Sequence, residues 1–104
     1  MPKKRFPAPV EKLLLINFKY PSVDLTELLD LENKLRQIIE QSDLGRVDGN
    51  EIALDGDDAS YFIYSPNPKK ILEMILPILK QVKFMQGGEA IIILSNNETY
   101  TIPI

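Results

Sequence analysis

The chain has 104 residues, 44% of them hydrophobic and 26% charged, with a formal net charge of −3 and neither cysteine nor histidine. One domain of this size can bury roughly two thirds of its unfolded surface without disulfides. The missing cysteines exclude thiol catalysis and thiolate metal sites, the missing histidines remove the usual neutral-pH base and the commonest metal ligand, and the acidic balance argues against nucleic acid as the main partner.

Residues 1–11 carry Lys3, Lys4 and Arg5 among Pro2, Pro7 and Pro9 and are predicted to be a mobile basic lead-in to a single domain over 12–104. The apolar run Leu13-Leu14-Leu15-Ile16 is too short for a signal-peptide core or a membrane span, so a cytoplasmic, membrane-free protein is the expectation. Lys12 to Tyr20 alternates as a strand, with Leu14, Ile16, Phe18 and Tyr20 on one face and Leu13, Leu15 and Asn17 on the other. Asp24 to Gln41 has a helical apolar stripe through Leu25, Leu28, Leu31 or Glu32, Leu35, Ile38 and Ile39. Asp24 and Glu27 make a capping pattern before it, and Gly45 is a terminator after it.

Residues 44–66 read as a β-hairpin, with arms Val47–Leu54 and Ala59–Ser65 around Asp55-Gly56-Asp57-Asp58, because Asp-Gly supplies the positive-φ residue that tight turns need. The first arm is polar, as suits an edge strand. Asp48-Gly49-Asn50 inside it is a second turn-like signal, which predicts a bulge. Tyr61-Phe62-Ile63-Tyr64 is apolar on both faces and reads as an inner strand. Asn67 and Pro68 open a second helix with Ile71, Leu72, Ile75, Leu76, Ile78, Leu79 and Val82 buried, and Pro77 is expected to kink or split it. Gln86-Gly87-Gly88 releases a strand over Glu89–Leu94, and Thr99–Ile104 folds back on it as a fifth strand.

The order strand, helix, hairpin, helix, strand predicts an α+β fold: a ferredoxin-like βαββαβ sandwich, an antiparallel sheet with two helices on one face. Helices on one face leave the other bare, yet both faces of the inner strands carry large apolar groups. That contiguous apolar surface exceeds what a monomer usually exposes. Covering about 600 Å² of it is worth about 15 kcal/mol before association costs. The expected cover is a second copy of the chain, forming a homodimer through the sheet face, or another protein, or the C-terminal segment. The interaction surface is drawn over Leu13, Leu15, Tyr61 and Ile63, with the polar hairpin residues Arg46, Asp48, Asn50, Glu51, Asp55, Asp57 and Asp58.

Three chemistries compete with this reading. The acidic hairpin could hold calcium or magnesium, but EF-hand spacing is missing and Asp and Gly are what turns are made of, so neither metal nor cofactor is expected. Tyr61, Phe62 and Tyr64 could stack bases, but the matching basic and glycine motif is absent. Lys19, Arg46 and Asn50 could hold an anion as in acylphosphatase-like enzymes, but Pro21-Ser22-Val23-Asp24 stands where their glycine-rich loop would be. A non-enzymatic interaction or accessory protein, immunity-type included, is therefore the expected function. A small-ligand regulatory domain is the alternative.

Leu44-Gly45-Arg46-Val47-Asp48-Gly49-Asn50-Glu51, then Tyr61-Phe62-Ile63-Tyr64-Ser65-Pro66, Leu72 and Pro77-Ile78-Leu79, resemble a pattern in a family of small bacterial ferredoxin-like proteins. Members carry Gly-x-x-Asp-Gly-(His/Asn)-(Asp/Glu), then Tyr-x-Tyr-(Gly/Ser)-Pro, over a region matching about Leu13 to Phe84. The resemblance implies the same fold and no particular activity. The chain departs from several members at Asn50, where they have histidine, and lacks their C-terminal Arg-Tyr-Gly. Asp48-Gly49-Asn50-Glu51 is expected to set bulge geometry rather than a recognition surface.

Overall fold

The computed structural model describes residues 12–53, 57–94 and 96–104. The basic lead-in and the Asp55-Gly56 part of the predicted turn lie outside the described residues. The elements run β1 (Lys12–Lys19), α1 (Thr26–Ser42), β2 (Arg46–Ile52), β3 (Asp58–Ser65), α2 (Pro68–Lys80), a 3₁₀ turn (Lys83–Met85), β4 (Glu89–Ile93) and β5 (Thr99–Pro103). The five strands form one sheet in the order β2-β3-β1-β4-β5, antiparallel at every pairing. It is an α+β fold. The C-terminal segment lies beside β4 as an edge strand rather than across the open face.

Strand alternation decides the core. Leu14, Ile16 and Phe18 of β1, Val47 of β2, Ala59, Tyr61 and Ile63 of β3, and Ala90 and Ile92 of β4 all point to the side that the helices cover. They meet Leu28, Leu31, Leu35 and Ile39 from α1 and Ile71, Leu72, Ile75 and Leu79 from α2. Leu13 and Leu15 share β1 with a longer apolar set, Leu14 through Tyr20, and the longer set went inward.

Several helix ends differ from expectation. Leu25, not Asp24, caps α1, and its side chain cannot accept a bond. Asp24 instead accepts from the Thr26 amide at 3.0 Å and its hydroxyl at 2.7 Å one step earlier, which holds its carboxyl below the ordinary range. Asp43, with φ 60°, ends α1 in the left-handed region, so Gly45 is not the terminator. Its small size serves another purpose. A Cβ there would sit 2.5 Å from the Tyr64 carbonyl oxygen, so glycine is what lets the chain enter β2 against β3. Asn67 caps α2 as expected, accepting from the Lys70 amide at 3.3 Å, with Pro68 behind it. The helix runs through Pro77 instead of splitting. Pro77 and Glu73 are both exposed, so the Glu73 carbonyl that loses its helical donor faces water. Val82 falls beyond α2, and Met85 of the following turn is the fully buried residue there.

Tyr61 is the largest fully buried side chain, and its hydroxyl donates to the Leu28 carbonyl at 2.6 Å. Burial, with the Glu32 carboxylate second, holds its phenol above the ordinary tyrosine range. An unfolded tyrosine loses its proton near pH 10 or so. Tyr61 therefore contributes stability that is complete below that pH and lost as pH rises through its folded pKa. Denaturation midpoints across alkaline pH should fall from about pH 10 upward, and Tyr61→Phe should flatten that fall. An unchanged slope in Tyr61→Phe refutes the assignment.

Candidate functional site

The side of the sheet away from the helices carries Leu13 and Leu15 of β1, Phe62 and Tyr64 of β3, and Ile91 and Ile93 of β4. Register makes them contiguous: Leu13 lies between Tyr64 and Ile93, and Leu15 between Phe62 and Ile91. All six are partly exposed, and among the described residues no element packs over them. Polar groups frame the patch. Asn17 accepts a 2.6 Å bond from the Ser60 hydroxyl at one end, and Thr99 and Thr101 continue the face across β5.

The predicted surface residues do not stay together. Leu13 and Leu15 are on the open face. Tyr61 and Ile63 are not: both have 0% exposure and point under the helices, so Phe62 and Tyr64 take their place. Arg46 lies on the open side at β2, its guanidinium 4.8 Å from the centre of the Tyr64 ring and 3.0 Å from Asp48, and Glu51, opposite Ser60, is exposed on the same side. Asp57 and Asp58 both pair with Lys19 at the far end of β3. The hydrogen bond to Asp58 comes first in raising the Lys19 ammonium above its ordinary range. Asp55 lies outside the described residues. Among the described residues no group of three or more acidic side chains is arranged to hold a metal ion.

Asn50 belongs elsewhere. The predicted bulge is present, the register shifting between Val47 and Gly49 so that Asp48 is the additional residue. Without it, Arg46, Asp48 and Asn50 would share one face. With it, Asn50 pairs with Tyr61 and points to the helix side, where its amide donates to Glu32 Oε1 at 2.5 Å. Arg36 donates to Glu32 Oε2 at 2.8 Å. Glu32 is 6% exposed, and a carboxylate so buried needs both partners. Gly49 has φ 145°, a conformation that favours glycine, so the motif sets local geometry and satisfies a buried charge. Asn50 is not available to hold an anion with Lys19 and Arg46, and the two cations are themselves far apart along β1 and β2.

A concavity of about 740 Å³ opens between α2 and β5. Leu72 and Leu76 form one wall and Ile92, Tyr100 and Ile102 the other, with Lys12 and Lys69 at the rim. Sequence reading missed it because it needs the fifth strand to extend past the helix that roofs β4. A scan against protein-family models and searches against curated proteins and solved structures found no match.

Removing the Asn50 amide should cost about 1–3 kcal/mol, the scale of an unsatisfied buried acceptor. Asn50→Ala, measured by chemical denaturation, should lose that much in the wild type and much less in a Glu32→Leu background. Equal losses in both would show that the contact carries no coupling. Gly49→Ala should cost a similar 1–3 kcal/mol through backbone strain.

Proposed function

We propose that the chain is a non-enzymatic protein-interaction module, of an accessory or immunity type, whose contact surface is the uncovered sheet face. One observation carries the reading: six large apolar side chains from three adjacent strands, contiguous by register, with no described element over them. Such a patch is larger than scattered surface hydrophobes and is depleted of charge at its centre, as interface cores are. Arg46 stacked on Tyr64, with Asp48 and Glu51 beside it, gives the patch a charged margin along β2. The absence of histidine and cysteine from the sequence supports a binding role over a catalytic one. We read the architecture as a ferredoxin-like βαββαβ sandwich extended by a strand, and central β1 and β3 with both helices on one face support that reading. The likeness to the small bacterial family rests on the hairpin motif and is part of the same proposal.

A second reading is favoured by the groove between α2 and β5: a small-ligand regulatory domain with the ligand at the sheet–helix edge. A metabolite panel scored by thermal shift tests it, since a saturating ligand raises apparent stability.

The first test of the interaction reading is the mass, by light scattering, of the tagged protein purified gently from its own cells. A mass of two or more times 11.8 kDa that Leu15→Glu lowers means self-association through the face, and additional mass means another protein. A bare monomer overturns the reading. Leu15→Glu, at the centre of the patch, should abolish the contact while leaving the folded far-UV spectrum intact. Charge reversal at Asp57 and Asp58 should slow binding to a basic partner and weaken its salt dependence.

A further inference from the structure

The sheet has two edges, and they are defended unequally. β2 carries Arg46, Asp48 and Glu51 and is bent by the bulge at Asp48, which are the devices that keep an edge from pairing with strangers. β5 reads Thr-Tyr-Thr-Ile-Pro, with no charge and no bulge. Tyr100 is 54% exposed there, next to the groove beneath α2.

The backbone of β5 shows which groups remain to be paired. Leu94 donates to the Glu98 carbonyl at 2.9 Å, and Ile104 donates to the Gly88 carbonyl at 3.0 Å, one at each end of the ladder. Antiparallel ladders bond at every second pair. In this register the bonded pairs between those ends are therefore Ile92 with Tyr100 and Ala90 with Ile102. The N–H and C=O groups of Thr99 and Thr101, and the C=O of Pro103, point away from the sheet.

We infer that β5 pairs with β5 of a second copy of the chain, antiparallel, about a two-fold axis at Thr101. The geometry is self-complementary. Each Thr101 amide donates to the Thr101 carbonyl of the second copy, and each Thr99 amide donates to the Pro103 carbonyl of the second copy. Pro103 lacks an N–H, so it leaves only the outermost Thr99 carbonyl to water. On the helix side Tyr100 lies opposite Ile102 of the second copy, an aromatic–β-branched pair of the kind that stabilises sheets. No like charges meet, because Thr99 to Pro103 contains none. The second copy also closes the open side of the α2–β5 groove. The product is a continuous ten-strand sheet with four helices on one side and both uncovered faces on the other. This pairing does not depend on what docks on those faces.

Analytical ultracentrifugation of the purified full chain, from dilute to concentrated solution, should show a concentration-dependent doubling of 11.8 kDa. Thr101→Pro removes the two central donors without touching a β4–β5 bond and should weaken dimerisation at least tenfold, as should Thr101→Lys, which sets two like charges at the axis. Leu15→Glu, on the face, should leave the dimer intact. Hydrogen exchange supplies a second readout: the Thr99 and Thr101 amides should become protected on concentration, while Tyr100 and Ile102 are protected throughout. A chain that stays monomeric, or a dimer that Thr101→Pro leaves unchanged, overturns the inference. The first result would leave the edge to an extended segment of another protein, and the second would place the dimer contact on another surface.

Discussion

The described elements of this fold follow from covering a five-strand sheet with both helices on one side. β1 is the axis of that arrangement, paired along its whole length with β3 and over five residues with β4. Because side chains alternate, burying Leu14, Ile16 and Phe18 commits Leu13, Leu15 and Asn17 to the opposite side, and register passes that commitment to every neighbouring strand. Full burial of a leucine or isoleucine is worth roughly 1.5–3 kcal/mol. The nine fully buried leucines and isoleucines at the sheet–helix boundary therefore fix the parity far more strongly than any surface contact can oppose it. The uncovered face is a consequence of that choice. Its apolar content is not, since threonine or lysine would fit Leu13, Leu15 and Ile91 as well as far as the core is concerned.

One residue changes the parity. Asp48 lets β2 present Val47 and then Asn50 to the helix side, with Arg46 and Glu51 outside. Asn50 thereby reaches Glu32, a carboxylate sitting in the apolar stripe of α1 among Leu28, Leu31 and Leu35. A buried carboxylate with one donor would be costly, whereas two donors from different elements make it a fixed point between helix and sheet. Arg36 binds from within α1, so it does not tie the helix to anything else. Asn50 does. The glycine at 49, the bulge and the asparagine thus form one device that sets where α1 rests on β2.

The element order, the bulge, the Asn67 cap and the fifth strand are legible in the sequence because each rests on a local rule of periodicity or backbone preference. The face of β1 is only partly legible, since Leu14 to Tyr20 extends the apolar alternation further than Leu13 and Leu15 do but both sets are apolar where they overlap. β3 is not. Ala59, Tyr61, Ile63 and Ser65 compete with Ser60, Phe62 and Tyr64, each set with two large apolar groups and small or polar ends. Only pairing with β1 resolves that tie, and so Tyr61 and Ile63 were expected on the surface that Phe62 and Tyr64 occupy. Glu32 failed for a similar reason. Its position in the helical stripe was visible, but its partner lies 18 residues away and faces it only through the bulge. The groove is a tertiary feature with no local signature, because its walls come from Leu72, Ile92 and Tyr100 on three separate elements.

The two sides of the sheet also divide by charge. Moving across the open face from β2 to β5, one passes Arg46 and Glu51, then the apolar ground of β3, β1 and β4, then Thr99 and Thr101. The gradient has a physical consequence. A partner that meets the centre must desolvate methyl, methylene and aromatic groups and the single Tyr64 hydroxyl, whereas one that slides toward β2 must strip water from Arg46, Asp48 and Glu51, and imperfectly paired charges make that slide unfavourable. Along β5 itself the face carries two threonine hydroxyls, which can keep water or exchange it for a partner's polar groups at little cost, and Glu89 lies only at the Pro103 end. Charge along β2 and uncharged threonines along β5, with Glu89 only at the far end of β4, disfavour approach from the β2 side and are consistent with growth of the sheet at β5.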